Sequence, residues 1–288
     1  MIDPTGLLRH VEACNRWDPR EFLPFLIQEQ RVGRVRRDAA TRLGAIDDLF
    51  ILSPDAVRLN PRFDNHAERS QALDRAVDRL VADGILPKKR RELYPVMTEW
   101  GTPALAVLDR GAAPYFGVPA FGVHLNGYVR GADGGLSLWL GSRALDKAIA
   151  PGKLDNLVAG GQPAGLTLRE NLIKECAEEA NLPEDLASKA ISVGAITYCF
   201  ASARGLQADT LFLYDLALPA DFVPENTDGE MTGFEIWSIP RIAKRLAETD
   251  DFKFNVSLVL IDFMIRHGQL DTQNKEYLPL VAGLHWRG

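Results

Sequence analysis

The stretch from residue 160 to residue 182 constrains the fold of this 288-residue chain most strongly. Thr167 and Glu170 have the spacing of a capping box, in which each side chain accepts a hydrogen bond from the backbone N–H of the other, so a helix is predicted to begin at about Leu168. At about 100° per residue, the glutamates of this helix share one arc and its apolar side chains occupy the neighbouring arc. One helix face therefore packs against the protein, and the adjacent face presents carboxylates.

Three glutamates, Glu175, Glu178 and Glu179, form this acidic arc. Like charges at this spacing repel, and since we expect nothing basic within the arc, a divalent cation would relieve the repulsion. Mg²⁺, with Mn²⁺ as a substitute, prefers such oxygen ligands. Gly160 is predicted to add a backbone carbonyl, because glycine allows close approach of the backbone. The alternative is a solvated acidic face, which the helix taken alone favours.

The rest of the chain alternates predicted helices and strands, which indicates an α/β protein with a mixed sheet flanked by helices. Strand-like runs broken by glycines become frequent after about residue 103, and we place a domain boundary near residue 120. This gives an α+β domain at 1–120 and a second domain at 121–288. The helices are predicted at 67–83, 168–179, 241–248 and 255–266, and the strands at 50–52, 57–59, 104–108, 115–129, 136–140, 191–199, 210–218 and 234–239, with a loop at 141–161.

Composition argues against several classes of protein. A net charge of -6 disfavours wholesale binding of nucleic acid or of an anionic membrane surface, and no apolar run approaches the ~18 residues of a membrane span. Three cysteines without metal-ligand spacing indicate neither a disulfide framework nor a zinc site, and the N-terminus lacks the pattern of a secretory signal, so we expect a cytoplasmic protein. The sequence is compatible with a homodimer but does not determine the oligomeric state.

The 160–182 stretch resembles the Nudix box, which runs Gly, five residues, Glu, seven residues, Arg-Glu, an apolar residue, any residue, Glu-Glu, any residue, Gly and an apolar residue. The three glutamates of the acidic arc match the metal-binding part of this box. Gly160 matches the first glycine by count and Gly161 matches it by pattern. Lys174 replaces the arginine, Asn181 replaces the second glycine and Leu166 replaces the first glutamate, which we expect to support the loop rather than to bind metal.

Further blocks at 121–129, 142–161, 221–230 and 259–268 resemble one Nudix subfamily, whose members carry an N-terminal extension and whose module is fused to a thiamin pyrophosphokinase in some fungi. The resemblance implies a Nudix-type α/β/α sandwich with a mixed sheet, preceded by a smaller α+β domain. It implies a Mg²⁺-dependent pyrophosphohydrolase that converts thiamin diphosphate, or its oxidised analogues, to the monophosphate. Nucleoside di- or triphosphates, including oxidised nucleotides, and ADP-ribose are alternative substrates. A non-catalytic Nudix-like binding module is the alternative of another class.

Charged residues on both sides of the box are further candidates. Arg143 and Lys147 lie in the glycine-rich approach to it, where cations could hold a diphosphate that the acidic helix would repel. Asp228 and Glu230 precede the strand at 234–239, in a loop where related Nudix enzymes place an additional metal ligand or base. The resemblance therefore adds Glu230 to the predicted catalytic residues, with an ordinary turn carboxylate as the alternative.

Five more side chains are candidates for the substrate pocket. His124 and Asn126 lie on a predicted strand, where His124 fits a hydrogen-bonded structural histidine better than a catalytic base. Tyr198, with Phe200 or Trp139, could supply an aromatic wall, or all three could belong to the core.

The N-terminal domain shows no chemistry of its own. Residues 1–120 contain no glycine-rich phosphate loop, metal-ligand cluster or nucleophile pattern. The basic clusters at 34–37 and 88–91 are predicted to be solvated faces, given the acidic total charge. We therefore expect a structural or substrate-shaping domain that covers the pocket, and a small-molecule diphosphate as the partner of the protein.

Overall fold

The computed structural model describes residues 1–46, 48–147 and 149–285. Helices and short strands alternate in its first part. They are, in chain order, α1 (Leu8–Ala13), β1 (Phe22–Ile27), β2 (Gln30–Arg36), α2 (Arg37–Gly44), β3 (Phe50–Leu52), β4 (Val57–Leu59), α3 (His66–Ala82), β5 (Leu93–Val96), β6 (Ala106–Asp109) and α4 (Ala113–Phe116).

A sheet of order β2-β1-β4-β3 and a separate β5–β6 hairpin organise this part. Strands β1 and β4 run parallel, whereas the other neighbours are antiparallel. Along α3, the buried residues Leu73, Val77 and Leu80 recur at helical spacing, and Asn65 caps the helix by accepting a backbone N–H of its first turn. Residues 23–118 therefore share one hydrophobic core, and we call them the N-terminal body.

The second part of the chain is built from longer strands and helices. They are β7 (Ala120–Arg130), β8 (Leu136–Arg143), β9 (Leu154–Asn156), β10 (Val158–Gly161), α5 (Leu168–Ala180), α6 (Glu184–Ala187), β11 (Ile191–Ser202), β12 (Gly205–Ala217), β13 (Met231–Ser238), α7 (Ile239–Glu248), α8 (Phe254–Arg266) and α9 (Tyr277–Gly283). Among the described helices, none is long and apolar enough to cross a membrane.

These strands form a mixed sheet of order β11-β12-β7-β8-β13, with β10 beside β7 and β9 beside β8. Strands β7 and β12 are parallel, and the other pairs are antiparallel. Alternation along β12 buries Leu211 and Leu213 in the core under α7 and α8, and Tyr214 and Leu216 in the core under α5 and α6. The predicted α/β/α sandwich is thus confirmed, and we call it the C-terminal body.

Helix α1 belongs to the C-terminal body, although it begins the chain. Leu7, Val11 and Cys14 are buried in the same core as α7 and α8. Ile2 forms an isolated parallel bridge with Leu270. The chain thus crosses between cores twice, the second time between Val118 and Val123. The domain boundary near residue 120 stays a prediction.

Two predicted segments differ from the structure. The strand predicted at 115–129 begins as helix α4, which ends at Gly117 with a φ of 56°, a left-handed conformation that glycine adopts readily. The loop predicted at 141–161 contains β9 and β10. Strands of three and four residues are too short to show a periodicity, and they form because β7 and β8 pair with them.

Leu7→Ala should lower the free energy of unfolding by about 3 kcal/mol, because it leaves a cavity in the core under α7 and α8. Chemical denaturation measures this change, with the exposed Leu278→Ala as the control. A value for Leu7→Ala no larger than that of the control would show that α1 does not belong to this core.

Candidate functional site

Helix α5 has the capping that the sequence predicts. The Thr167 hydroxyl accepts from the Glu170 N–H, and the Glu170 carboxylate accepts from the Thr167 N–H at 2.8 Å. At the other end, Asn181 adopts a left-handed φ of 50°, as expected of the residue that replaces glycine. Buried Leu172 and Cys176 anchor one helix face in the core, so the next face is directed at β10.

Strand β10 lies directly against two of the predicted glutamates. The Glu179 carboxylate is buried and accepts the Ala159 N–H at 2.8 Å. The Glu175 side chain passes so close to Gly160 that a Cβ at this position would collide with it. Glycine at 160 is therefore required by the path of Glu175.

The predicted carbonyl ligand points away from these glutamates. A Cβ at Gly122 would lie 2.9 Å from the Gly160 carbonyl oxygen, so this oxygen faces β7. In a strand, the N–H and C=O of one residue point to the same side. Because the Ala159 N–H donates to Glu179, the Ala159 C=O also faces the glutamates. The prediction for Gly160 is thus corrected, because the backbone of Ala159 faces the carboxylates.

A loop brings Asp228 and Glu230 to Glu179. It is tied to the end of α5 by the Glu225 N–H, which donates to a helix carbonyl at 3.1 Å, and by the Thr227 hydroxyl, which donates to another. Carboxylate oxygens of Glu179, Asp228 and Glu230 all lie within 4.8 Å of one another. Such an all-oxygen set fits Mg²⁺ or Mn²⁺.

The raised pKa values of the clustered glutamates also favour a bound cation. Burial raises the pKa of Glu179 well above its usual range, and the nearby carboxylates of Glu175, Asp155 and Glu230 raise this pKa further, against the effect of the hydrogen bond from Ala159. Burial likewise raises the pKa of Glu175. A divalent cation would stabilise the ionised forms of both carboxyl groups.

Glu178 stands apart from this group. Its side chain is half exposed and lies 2.8 Å from the Lys174 ammonium group, which is also 2.8 Å from a Glu175 carboxylate oxygen. The expectation that nothing basic neutralises the acidic arc is therefore wrong, because a lysine four residues before Glu178 reaches both carboxylates. Metal binding by Glu178 stays a prediction, and it requires that the side chain leave Lys174.

Glu175, Glu179 and Glu230 line a cleft beside β10. The predicted phosphate-binding cations line the same cleft, but each holds a carboxylate. Arg143 is buried 2.7 Å from Asp155, and Lys147 is 2.7 Å from Glu230. Lys253, which the sequence does not single out, lies 3.1 Å from Asp155. Burial alone would raise the pKa of Asp155, but Lys253 and Arg143 outweigh burial and hold it below its usual value.

A second cavity adjoins this cleft and shares with it the wall at Ala159 and Gly160. His124 and Tyr198 line this cavity. The His124 Nδ1 is 2.8 Å from the Asn156 Oδ1, and burial lowers the pKa of His124 to about 4, so the imidazole is neutral at physiological pH. The histidine is hydrogen-bonded, as predicted, and it also reaches the cavity.

Three other pocket candidates make their contacts away from the cavity. The Asn126 side chain donates to Asp215 at 3.0 Å and accepts from Asn156 at 3.1 Å. Phe200 packs against the core under α8, and Trp139 packs against the core under α5. None of the three belongs to the described lining of the cavity, so their predicted contact with substrate is not supported.

Several lining residues are absent from the sequence-based predictions. Arg90 and Arg110 of the N-terminal body line both the cleft and the cavity, and Arg204 and Asp209 line the cavity. The Tyr198 hydroxyl donates to Asp209 at 2.7 Å, and burial raises the pKa of Asp209 to about 6. Arg90 comes from a cluster predicted to be a solvated face. No local pattern identifies these residues, because the packing of two bodies brings them together.

Comparisons with known proteins identify relatives of this chain. Residues 6–120 match a family model described as a domain of unknown function, DUF4743. Nudix hydrolase 24, chloroplastic, of Arabidopsis thaliana is 43% identical over 98% of this chain and 78% of its own length. Nudix hydrolase 20, chloroplastic, of the same plant is 41% identical over 99% and 79%. The solved NUDIX domain of Shewanella oneidensis NrtR with ADP ribose is 12% identical, at a TM-score of 0.42 over 53% of this chain and 90% of that one.

A capped helix that presents carboxylates at the edge of an α/β/α sandwich defines a Nudix-type fold with its characteristic acidic site. With plant relatives at 43% and 41% identity over nearly its whole length, the chain belongs to the Nudix hydrolase family. It is a hydrolase of phosphoric anhydride bonds, and enzymes of this family generally need a divalent cation. The resemblance drawn from the box and from the N-terminal extension is confirmed.

The expected cytoplasmic location is wrong. Both plant relatives are named as chloroplastic proteins. The expectation relied on cysteine content and on the first residues of the chain, and neither distinguishes the cytoplasm from another reducing compartment.

Glu179→Gln should lower kcat by roughly a hundredfold or more, since it removes a charged oxygen from the centre of the carboxylate group. Mg²⁺ should raise the thermal midpoint of the wild-type protein but not that of this variant. Scanning calorimetry with and without Mg²⁺ measures the shift, with the exposed Glu184→Gln as the control. An undiminished Mg²⁺ shift in Glu179→Gln would place the metal elsewhere.

Asp209→Asn should become more stable relative to wild type as pH rises. Because the pKa of folded Asp209 is about 6 against an ordinary 3.8, the wild type loses stability as pH rises between these values, by about 3 kcal/mol in total. The asparagine oxygen still accepts from Tyr198 but does not titrate. Denaturation of both proteins at about pH 4.5 and about pH 7.5 tests this. An equal stability difference at the two pH values would contradict the assignment.

Proposed function

We propose that this Nudix hydrolase cleaves a small-molecule diphosphate with Mg²⁺, or Mn²⁺, held by Glu179, Asp228 and Glu230. The convergence of these three carboxylates within 4.8 Å carries the proposal, and two of them, Glu179 and Glu230, line a cleft otherwise rich in cations. When bound, the cation would polarise phosphoryl oxygens and activate water. Glu175, which is buried beside the group, and Glu178 complete the proposed catalytic set.

Lys147 and Arg143 have different roles in this proposal. Lys147 is held by Glu230, so a cation that takes Glu230 as a ligand would leave the ammonium group available for a substrate phosphate. Arg143 donates to both the Asp155 carboxylate and the Ile149 carbonyl. Because its hydrogen bonds stay within the protein, we propose that Arg143 shapes the loop that carries Lys147.

Thiamin diphosphate or its oxidised analogues are the substrates that we propose. The cavity continues from β10 and offers an apolar wall that includes Phe121, Leu211 and Phe254. Beside this wall, Asp209 and Tyr198 present oxygens that can accept hydrogen bonds from an aminopyrimidine. The diphosphate would then lie at the carboxylate group, and the two rings would lie in the cavity.

The charges that line the cavity favour oxidised analogues over thiamin diphosphate itself. The cavity is lined by three arginines, Arg90, Arg110 and Arg204, and by the carboxylate of Asp209. An intact thiazolium ring is cationic and would be repelled by this excess of positive charge, but an oxidised thiazole is neutral. Asp209 could partner a cationic ring, but the three arginines outnumber this single carboxylate. The neutral, oxidised substrate is therefore the one we favour.

Nucleoside di- or triphosphates and ADP-ribose remain the alternatives within the same class of reaction. Their rings also carry hydrogen-bond donors and would also fit an apolar wall. A non-catalytic binding module is disfavoured, because the predicted metal-binding glutamates are all present and Glu230 joins Glu179.

Oxothiamin diphosphate should be hydrolysed with a kcat/KM at least about tenfold above that of thiamin diphosphate, ADP-ribose or 8-oxo-dGDP, because it combines a diphosphate with a neutral ring system. Phosphate release, or monophosphate formation, is measured for all four substrates at one Mg²⁺ concentration. A clear lead for either nucleotide would overturn the thiamin assignment and leave the diphosphate chemistry intact. No hydrolysis of any substrate would overturn both.

A further inference from the structure

The N-terminal body packs directly on the strand that carries the site. The Tyr94 hydroxyl occupies the space of a Cβ at Gly161, and the Arg110 guanidinium carbon would lie 3.2 Å from the same Cβ. Immediately after β10, the Ala164 N–H donates to the Leu93 carbonyl at 2.8 Å. The β5–β6 hairpin is therefore held against the end of β10, next to Glu175.

Two arginines of the N-terminal body are positioned by this contact. Arg110 is 2.7 Å from Glu92, and its guanidinium lies 5.6 Å from the centroid of the Tyr94 ring. The Asp109 carboxylate is buried and accepts the N–H groups of Arg90 and Arg91 at 3.2 and 2.9 Å. These bonds hold the turn that precedes β5, and they direct Arg90 to the wall shared by the cleft and the cavity.

Arg90 differs from most cations around the site. Arg143, Lys147, Lys253 and Arg110 each have a carboxylate partner. Within the described part of the chain, the Arg90 guanidinium has no ion pair. It lines the cleft together with Glu175 and Glu179.

Arg90 also shares its cavity with two other guanidinium groups, those of Arg110 and Arg204. Arg204 lines the same cavity, and burial lowers its pKa, as does the positive charge of Arg90 and Arg110. Guanidinium groups that repel one another across a cavity are stabilised by an anion between them, and their planar forks match phosphate oxygens.

We propose that the N-terminal body is part of the active site, and that Arg90, with Arg110 beside it, binds the diphosphate of the substrate. This inference rests on the proposed diphosphate hydrolysis and extends it to the region matched by a domain of unknown function. The carboxylates of Glu179, Asp228 and Glu230 hold the metal ion that binds one side of the diphosphate. The two arginines bind the remaining oxygens of the diphosphate. The N-terminal body then supplies a binding residue in addition to a cover for the pocket.

The test compares Arg90→Gln with Arg91→Gln. Both variants lose one positive charge at adjacent exposed positions, but Arg91 lines neither the cleft nor the cavity. Calorimetry with imidodiphosphate and Mg²⁺ should show affinity about ten- to a hundredfold weaker for Arg90→Gln, and affinity near that of wild type for Arg91→Gln. Arg90→Lys should recover part of the loss, since it keeps the charge without the fork.

The Mg²⁺-induced rise of the thermal midpoint should be the same in the three arginine variants as in the wild type, because no ion pair joins Arg90 to Glu179, Asp228 or Glu230 among the described residues. In turnover, Arg90→Gln should raise KM by a similar factor. Imidodiphosphate binding by Arg90→Gln equal to that by Arg91→Gln, or no binding by the wild type, would overturn the proposal. Selective loss of binding in a protein that hydrolyses no diphosphate would support this site and overturn the proposed function instead.

Discussion

Gly160 and Gly161 leave no space for side chains, and the arrangement of the site depends on this constraint. The Glu175 side chain takes the space of a Cβ at 160, and the Tyr94 hydroxyl takes that of a Cβ at 161. Helix α5, strand β10 and the β5–β6 hairpin can therefore approach within contact distance. A larger residue at either position would separate the strand from the acidic helix or from the N-terminal body. Two adjacent glycines thus allow the proposed metal site and the wall of the proposed substrate cavity to form side by side.

Charged residues are concentrated around this contact. Those that are paired stabilise the structure, whereas those that lie among like charges are the candidates for binding a ligand. Buried charges are costly unless they are paired, and Asp155 is paired with both Arg143 and Lys253. In contrast, Glu179 lies among other carboxylates, and Arg90 lies near other guanidinium groups. A metal-bound diphosphate carries the complement of both groups, a cation for the carboxylates and an anion for the arginines. The cleft that contains Glu179 and Arg90 is therefore the part of the surface that suits the phosphoric anhydride substrates of the family.

Most of the predictions that hold depend on contacts between residues close together in the sequence. The capping box and the left-handed Asn181 depend on contacts within a few residues, and both are found as predicted. The ion pairs of Lys174 are equally local, yet the assumption of an unneutralised arc overlooked them. The carbonyl of Gly160 was misassigned because its direction depends on pairing with β7, which lies more than thirty residues earlier in the chain.

By itself, the sequence determined the class of fold, the acidic helix and the family, because helix capping, side-chain periodicity and the spacing of glutamates are properties of neighbouring residues. Tertiary structure decided which groups share the site. It placed Asp228 and Glu230 beside Glu179, and it brought Arg90 from the other body to the same cleft. No pattern in residues 1–120 predicts this meeting, since it follows from the packing of a hairpin on Gly161 and not from any local preference of the chain.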